Sequence, residues 1–259
     1  MLTVTQPAVQ AVTQTARLAV KLASSSEEIE QAMRLRYQVF VEEEKNMQML
    51  NESGLEQDPY DVYCDHLIVK DVDHDTVVGT YRLLPGRRAA AHIGFYSETE
   101  FDLSEFHDYK DHALELGRSC IHPAYRGGKA IQLLWEGIAG YSEQHHHSHL
   151  IGCASVHVPA LNELNEIYSM LRKKQVWTDH YGIRPLETHR IAGLNVLESG
   201  WNEKEVFRRL PPLMKGYQWL GAQIGGDPAY DSQFDTVDFF IVLEKERVTR
   251  KYKQHFLSR

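Results

Sequence analysis

The spacing of apolar residues changes several times along the chain, and each change marks an element. "RLAVKLA" sets Leu18, Val20 and Leu22 against Ala19 and Lys21, which predicts a half-buried strand. Just after it, Ser25 and Glu28 form a capping box, and Ile29, Met33, Tyr37 and Phe40 recur at helical spacing, predicting a helix that buries this face. Residues 45–62 are turn-rich and read as a loop. "CDHLIVKD" and "TVVGTYRLL" read as two strands joined across "VDHD", an antiparallel hairpin. "HALELGRSCI" predicts another strand, which breaks at His122-Pro123. "YRGGKA" then opens a helix from Gly128 to about Gln144, with Ile131, Leu134, Trp135, Ile138 and Tyr141 on one face. "HLIGCASVHV" and "DTVDFFIVLEKERV" add strands, and "LNELNEIYSMLRKK" adds a helix.

Residues 1–16 show no period and read as a tail, while 17–259 contain neither repeats nor a low-complexity linker. A single α/β (α+β) domain with an elaborated C-terminal part is the simplest arrangement. Composition agrees with a soluble globular protein, at 42% hydrophobic and 25% charged residues. A formal net charge of -8 argues against nucleic-acid binding but leaves room for a local basic patch. Cys64, Cys120 and Cys153 lack metal-ligand spacing and suit packed thiols in a reducing cytoplasm. Residues 1–16 lack the pattern of a signal peptide. No apolar run approaches the roughly 20 residues that span a bilayer, so any contact with the inner membrane is expected to be peripheral. "HHHSH" (145–149) falls at an expected helix end with no partner set, and no metal is expected.

The stretch "LELGRSCIHPAYRGGKA" carries the chemistry. A glycine turn at a helix N-terminus exposes backbone N–H groups and partial positive charge, and Arg126 and Lys129 add formal charge. Arg126, Gly127, Gly128 and Lys129 therefore form a phosphate-accepting turn fastened to a strand. The order strand, capped helix, hairpin, strand, turn, helix, strand resembles the GNAT acyltransferase superfamily. That resemblance implies a mixed, mostly antiparallel sheet flanked by helices and splayed around Leu114–Ile121. Gly128-Lys129-Ala130 fits the superfamily turn, but Tyr125 stands where Gln or Arg is expected. This departure suits the single phosphate of a carrier-borne phosphopantetheine better than the pyrophosphate of CoA.

"RLRYQVFVEE", "YDVYCDHLIV", "VVGTYRLL", "GFYSETEFDLS", "LELGRSCIHPAYRGG", "LLWEGIAGY" and the closing "LPPLMKGYQWLGAQIGGDPAYDSQFDTVDFF" resemble the ornithine-lipid N-acyltransferases, sometimes labelled hemolysin-like. The resemblance implies transfer of a 3-hydroxyacyl chain from acyl carrier protein to the α-amine of ornithine. CoA thioester is the less expected donor, and no bound cofactor is implied. A remoter resemblance to acyl-homoserine-lactone synthases involves Arg36 and Phe40, the acids Asp61 and Asp65, Arg82, and the Glu115–Arg118 pair. Other readings are acylation of lysine, glycine or glutamine, a lactone-type synthase, and a non-catalytic module binding lipid or carrier.

Amide formation requires a neutral amine, so a carboxylate must accept its proton, and Glu115 is the candidate base, paired with Arg118. N–H groups near Gly117 and Ser119 would hold the thioester oxyanion. Arg36, Phe40, Asp61, Asp65 and Arg82 are the candidate acceptor-binding set, because a cationic amino acid needs a cation for its carboxylate and an acid for its distal amine. Phe95, Tyr96 and Phe101 are further candidates for the edge of an acyl tunnel. Arg87 and Arg88 could extend a basic surface toward an acidic carrier. Residues three apart on a regular strand face opposite ways, so a bulge is expected near Gly117 if Glu115 and Arg118 share a cleft.

Overall fold

In a computed structural model the described residues are 16–158, 160–174 and 176–248. The expected tail, Ala16 apart, and the basic C-terminal end after 248 lie outside them. The strands are β1 (Leu18–Leu22), β2 (Asp65–Asp71), β3 (Thr76–Pro85), β4 (Phe101–Asp102), β5 (Ala113–Ile121) and β6 (His149–Val156). They continue with β7 (Trp177–Thr178), β8 (Arg184–Pro185), β9 (Gln223–Gly225), β10 (Ala229–Asp231) and β11 (Thr236–Glu244). The helices are α1 (Ser26–Tyr37), α2 (Gly86–Ala91), α3 (His107–Lys110), α4 (Lys129–Gln144), α5 (Leu161–Lys173), α6 (Glu203–Arg209) and α7 (Pro212–Leu220).

Nine strands form one sheet in the order β1-β2-β3-β5-β6-β11-β9-β7, with β10 also on β11, while β4 pairs β8 separately. Pairing is antiparallel except for β5 with β6 and β7 with β9. This is the mixed, mostly antiparallel sheet expected above. Side chains alternate along its strands as the pleat requires. Val237, Phe239, Ile241 and Leu243 of β11 join Leu134, Ile138, Leu164 and Tyr217 from the helices. Phe240 and Val242 instead join Phe95, Phe101 and Phe106. Phe95 and Phe101 are thus core residues, and neither lines the cavity described below.

α1 differs from its expected face. Of the expected face Tyr37 is buried, but Ile29 and Met33 are only half-buried, and the inward apolar residues are Ala32 and Leu35, packed with Val39 against Ile68, Val77 and Cys120. The face is rotated because Arg36, a fully buried arginine, takes an inward position that periodicity would assign to an apolar residue. The helix then widens into a π-helical segment, Gln38–Glu43, which carries Phe40. Such segments recur at functional sites because the extra residue re-aims the side chains that follow.

The sheet opens between β5 and β6. Their parallel ladder runs from Ala113 opposite His149 to Glu115 opposite Ile151 and stops, while β6 stays on β11 as far as Val156. Just past the last pair, a Cβ added at Gly152 would lie 2.3 Å from the Leu116 carbonyl oxygen. Only glycine lets the two backbones touch there before they diverge. On its other edge β5 slips register against β3 between Thr80 and Arg82, so Tyr81 faces both Arg118 and Ser119. The irregularity expected near Gly117 therefore falls one residue later. Arg118 takes the left-handed conformation at φ 51°, which costs an L-residue about 1–2 kcal/mol unless its contacts compensate.

Gly152→Ala tests the apex of the opening. The added methyl has no room, and chemical denaturation should show a loss of about 1–3 kcal/mol.

Candidate active site

A cavity of about 320 Å³ lies at the opening. β3 supplies Tyr81 and Arg82, β5 supplies Glu115 to Ser119, and β6 supplies Cys153 and Ser155. Phe40, Tyr96, Tyr217 of α7, and Asp231, Phe234 and Asp238 of the β10–β11 hairpin complete most of the wall. Glu115 and Arg118 thus share one cleft, as the bulge allows.

Glu115 is 5% exposed and accepts three hydrogen bonds. The Tyr96 N–H donates to Oε2 at 2.7 Å, and the Ser97 N–H and hydroxyl donate to Oε1 at 2.8 and 2.6 Å. These bonds fix the carboxylate against the start of a short 3₁₀ turn, Tyr96–Thr99. A carboxylate offers about four acceptor sites, so one remains on Oε2. Burial pushes the Glu115 carboxyl above its ordinary range, against the opposing pull of the Ser97 and Tyr96 bonds. A raised pKa suits a group that must accept a proton near neutrality.

Arg118 lies over the Tyr96 ring at 4.6 Å and over Phe234 at 4.8 Å. Its Nε donates to Glu56 and its Nη2 to Asp58, both at 2.9 Å. Arg36 donates to Glu56 and, in a two-pronged pair, to Asp61 at 2.7 and 3.0 Å. Arg82 joins Asp58 at 2.6 Å and Asp61 at 3.4 Å. Three cations and three anions make one largely buried network that fastens the 50–63 loop to α1 and the sheet. Burial alone would push Asp61 up, but the hydrogen bonds and charge of Arg36, with Arg82, hold its carboxyl well below the usual range.

The expected acceptor-binding set is therefore divided. Phe40 and Arg82 line the cavity; Arg36 and Asp61 do not, since each is buried and already paired. Asp65 is elsewhere, bound by Arg88 at 3.2 Å and by the Tyr141 hydroxyl at 2.5 Å. That tie also withdraws Arg88 from a free basic surface. Gly117 and Ser119 line the cavity on the strand edge that β6 has left. At the glycine turn, Gly128 has φ 98° and caps α4, and a Cβ at Gly127 or Gly128 would meet nothing within 4 Å. Lys129 is exposed, whereas Arg126 is clamped to Glu43 by two 2.6 Å bonds.

Several residues escaped the sequence reading, above all Glu56 and Asp58 of the ion network and Asp231 and Asp238 of the cavity wall. Asp238 did leave a signal, since it is an acid inside the apolar run of a central strand. Cys153 also faces the cavity, but burial pushes its thiol far above the ordinary value, as it does for Cys120, so neither is an activated nucleophile. Among the described residues, no helix is long and apolar enough to cross a membrane.

Residues 35–136 match the acetyltransferase (GNAT) domain family. A protein named L-ornithine N(alpha)-acyltransferase from Brucella abortus (strain 2308) is 37% identical over 251 residues, covering 92% of this chain and 88% of that protein. Among solved structures, FeeM, an N-acyl amino acid synthase from uncultured soil microbes, matches with a TM-score of 0.52 at 10% identity, over 89% of this chain and 92% of its own. MesI, a CoA-dependent acyl-homoserine lactone synthase, matches with a TM-score of 0.50 at 11% identity, over 94% of this chain and 96% of its own. The two structural matches establish a shared fold.

The ion network makes a stability prediction. Arg36→Ala leaves Glu56 with Arg118 alone and Asp61 with only the long Arg82 contact among the arginines, an uncompensated buried charge that should cost about 3–5 kcal/mol in urea unfolding at pH 7. Asp61 is depressed in the folded state, so its contribution is complete above its unfolded pKa of about 3.9 and is lost as pH falls through the lower folded value. Wild-type stability should therefore drop below about pH 4, and Asp61→Asn should remove part of that slope while lowering stability at pH 7.

Proposed function

The chain belongs to the L-ornithine N(alpha)-acyltransferase family and is a GNAT-fold acyltransferase, and from that premise we propose a reaction for it. It moves a 3-hydroxyacyl chain from the phosphopantetheine thioester of acyl carrier protein to the α-amine of L-ornithine. The observation that carries this reading is the buried Glu115, held with one open acceptor site beside a strand edge that has lost its neighbour.

The pantetheine arm lies in the opening between β5 and β6, where it completes the ladder that ends at Glu115 and Ile151. Its phosphate meets the uncrowded Gly127-Gly128 turn and the N-terminus of α4, with Lys129 adding charge. N–H groups near Gly117 and Ser119, beside the bulge, receive the thioester oxygen. The α-ammonium of the acceptor loses a proton to Glu115 Oε2, directly or through one water. The neutral amine attacks the carbonyl carbon, and negative charge collects on the oxygen facing the strand. Collapse breaks the C–S bond and releases a thiolate, which needs no prior protonation because a thiol's ordinary pKa is about 8.5. The amide nitrogen gives up its second proton as the thiolate takes one, so the products are amide and free carrier thiol. Arg118 acts as a positioning residue, holding the Tyr96 ring and the bulge in place.

An acidic carrier must approach an enzyme that itself carries a net -8, so a local cation at the turn matters. Lys129 is that cation, with Arg126 available only by exchange from Glu43. The product is a single-chain lipid, so membrane contact is peripheral and serves its release.

Lipid mass spectrometry of a bacterial host expressing the chain should show a new N-acylated ornithine, and its absence with carrier and ornithine abundant would refute the reading. In a purified assay, Glu115→Gln should lower kcat by about 10²–10⁴ while carrier binding persists. A variant that keeps full turnover would remove Glu115 from the chemistry.

A further inference from the structure

Behind one wall of the cavity the hairpin and the Tyr96–Thr99 turn bring together three acids with no cation. Asp231 and Asp238 line the cavity, and Glu100, at the C-terminal end of the turn, stands behind them. A carboxylate oxygen of Glu100, one of Asp238 and the Cys153 sulfur all lie within 4.8 Å of one another. Glu100 is 2% exposed, and neither of its carboxylate oxygens has a hydrogen-bond partner among the described residues. Asp238 accepts from the Thr236 hydroxyl at 2.8 Å and is also held by the Ser155 side chain. Asp231 takes the Gln233 and Phe234 N–H groups on Oδ1, leaving Oδ2 only a long 3.4 Å contact from the Tyr96 hydroxyl. Among the described residues none of the three forms an ion pair, because Arg118, the cation that bears on them, is committed to Glu56 and Asp58.

Buried carboxyls without a cation are costly, and the charged forms of Glu100 and Asp238 are disfavoured here. Burial, then the neighbouring Asp238 and Asp231, push Glu100 upward, and burial together with Asp231 pushes Asp238 upward. A positive group entering the site would pair with these acids. A primary ammonium donates three hydrogen bonds of about 2.8 Å, a reach that suits acceptors spaced in this way. A divalent metal would draw two or more of these groups into direct coordination, so metal content is one outcome the test must read.

We propose that Glu100, Asp231 and Asp238 form the subsite for the terminal side-chain ammonium of the acceptor amino acid, and so select acceptors with a distal amine over those with an alkyl side chain. This rests on reading the cavity as the acceptor site. Glu115 reaches the α-amine, while the acidic cluster on the far side of Ser97 and Cys153 holds the other end of the substrate.

The test compares L-ornithine with L-norvaline, which has the same carbon chain but no terminal amine, using purified enzyme and a 3-hydroxyacyl carrier-protein thioester. Wild type should favour ornithine, and Glu100→Gln and Asp238→Asn should each raise the KM for ornithine about 10- to 100-fold. In both variants kcat should change much less, and kcat/KM for norvaline should hold or rise. Glutamine mimics a protonated Glu100, so this variant should unfold near the wild-type midpoint; should it fail to fold, Asp238→Asn carries the comparison. Equal losses on both substrates would overturn the subsite, since a merely structural role would produce them. Stoichiometric metal in the purified wild type, lost in Glu100→Gln, would also overturn it. A wild type that acylates norvaline as well as ornithine refutes the subsite alone. One that acylates neither refutes the function on which it rests.

Discussion

The ion network between Arg36, Arg82 and Arg118 on one side and Glu56, Asp58 and Asp61 on the other is the constraint from which the site follows. Six charges taken out of water are tolerable only if every one is paired, and here the count closes. The pairing determines which way α1 faces the sheet, because Arg36 must turn inward. It draws the 50–63 loop across the strands. It also holds Arg118 in a left-handed conformation that the chain would otherwise resist, and so maintains the bulge in β5. From that bulge come the shared cleft of Glu115 and Arg118 and the reorientation of the strand where it leaves β6.

A second contrast runs through the cavity. The arginine network is balanced internally, whereas the acids of the hairpin are not. Glu115 lies between these two environments, fixed by the backbone of residues 96 and 97 and raised by its burial. One side of the cavity is thus paired within the protein, and the other carries acids without a cation, the side to which we assign the acceptor's ammonium. An enzyme that joins two substrates gains from this division, because the paired side sets the geometry and the side without a cation supplies the selectivity.

Much of the fold was readable from the chain because it rests on local periodicity. The hairpin of β2 and β3, the amphipathic α4, and the alternation of β11 all follow from positions of Leu, Val, Ile and Phe. The glycine turn and the Glu115–Arg118 pair were also visible, since both lie in one continuous segment. What pattern could not reveal was pairing over distance. Arg36 resembles a polar residue on a helix edge until Asp61 and Glu56, 25 and 20 residues away, are brought against it. Asp61 and Asp65 share a stretch of sequence but not a site, because Asp61 opens a short turn whereas Asp65 begins β2 and is bound by Arg88 and Tyr141. Asp231 and Asp238 belong to a hairpin whose position depends on β11 pairing with β6, a contact some 80 residues distant.

The central claim is that the donor's pantetheine arm occupies the gap between β5 and β6 and presents its thioester to the free edge of β5. Amide hydrogen exchange over residues 116–121 measures this most directly, with carrier protein bearing either no acyl group or a non-cleavable thioether analogue of the acyl arm. The account predicts that the loaded carrier slows exchange at Gly117 and Ser119, beyond any effect of the unloaded carrier. Unchanged exchange along this edge, with the loaded carrier bound and protecting another surface, would contradict it.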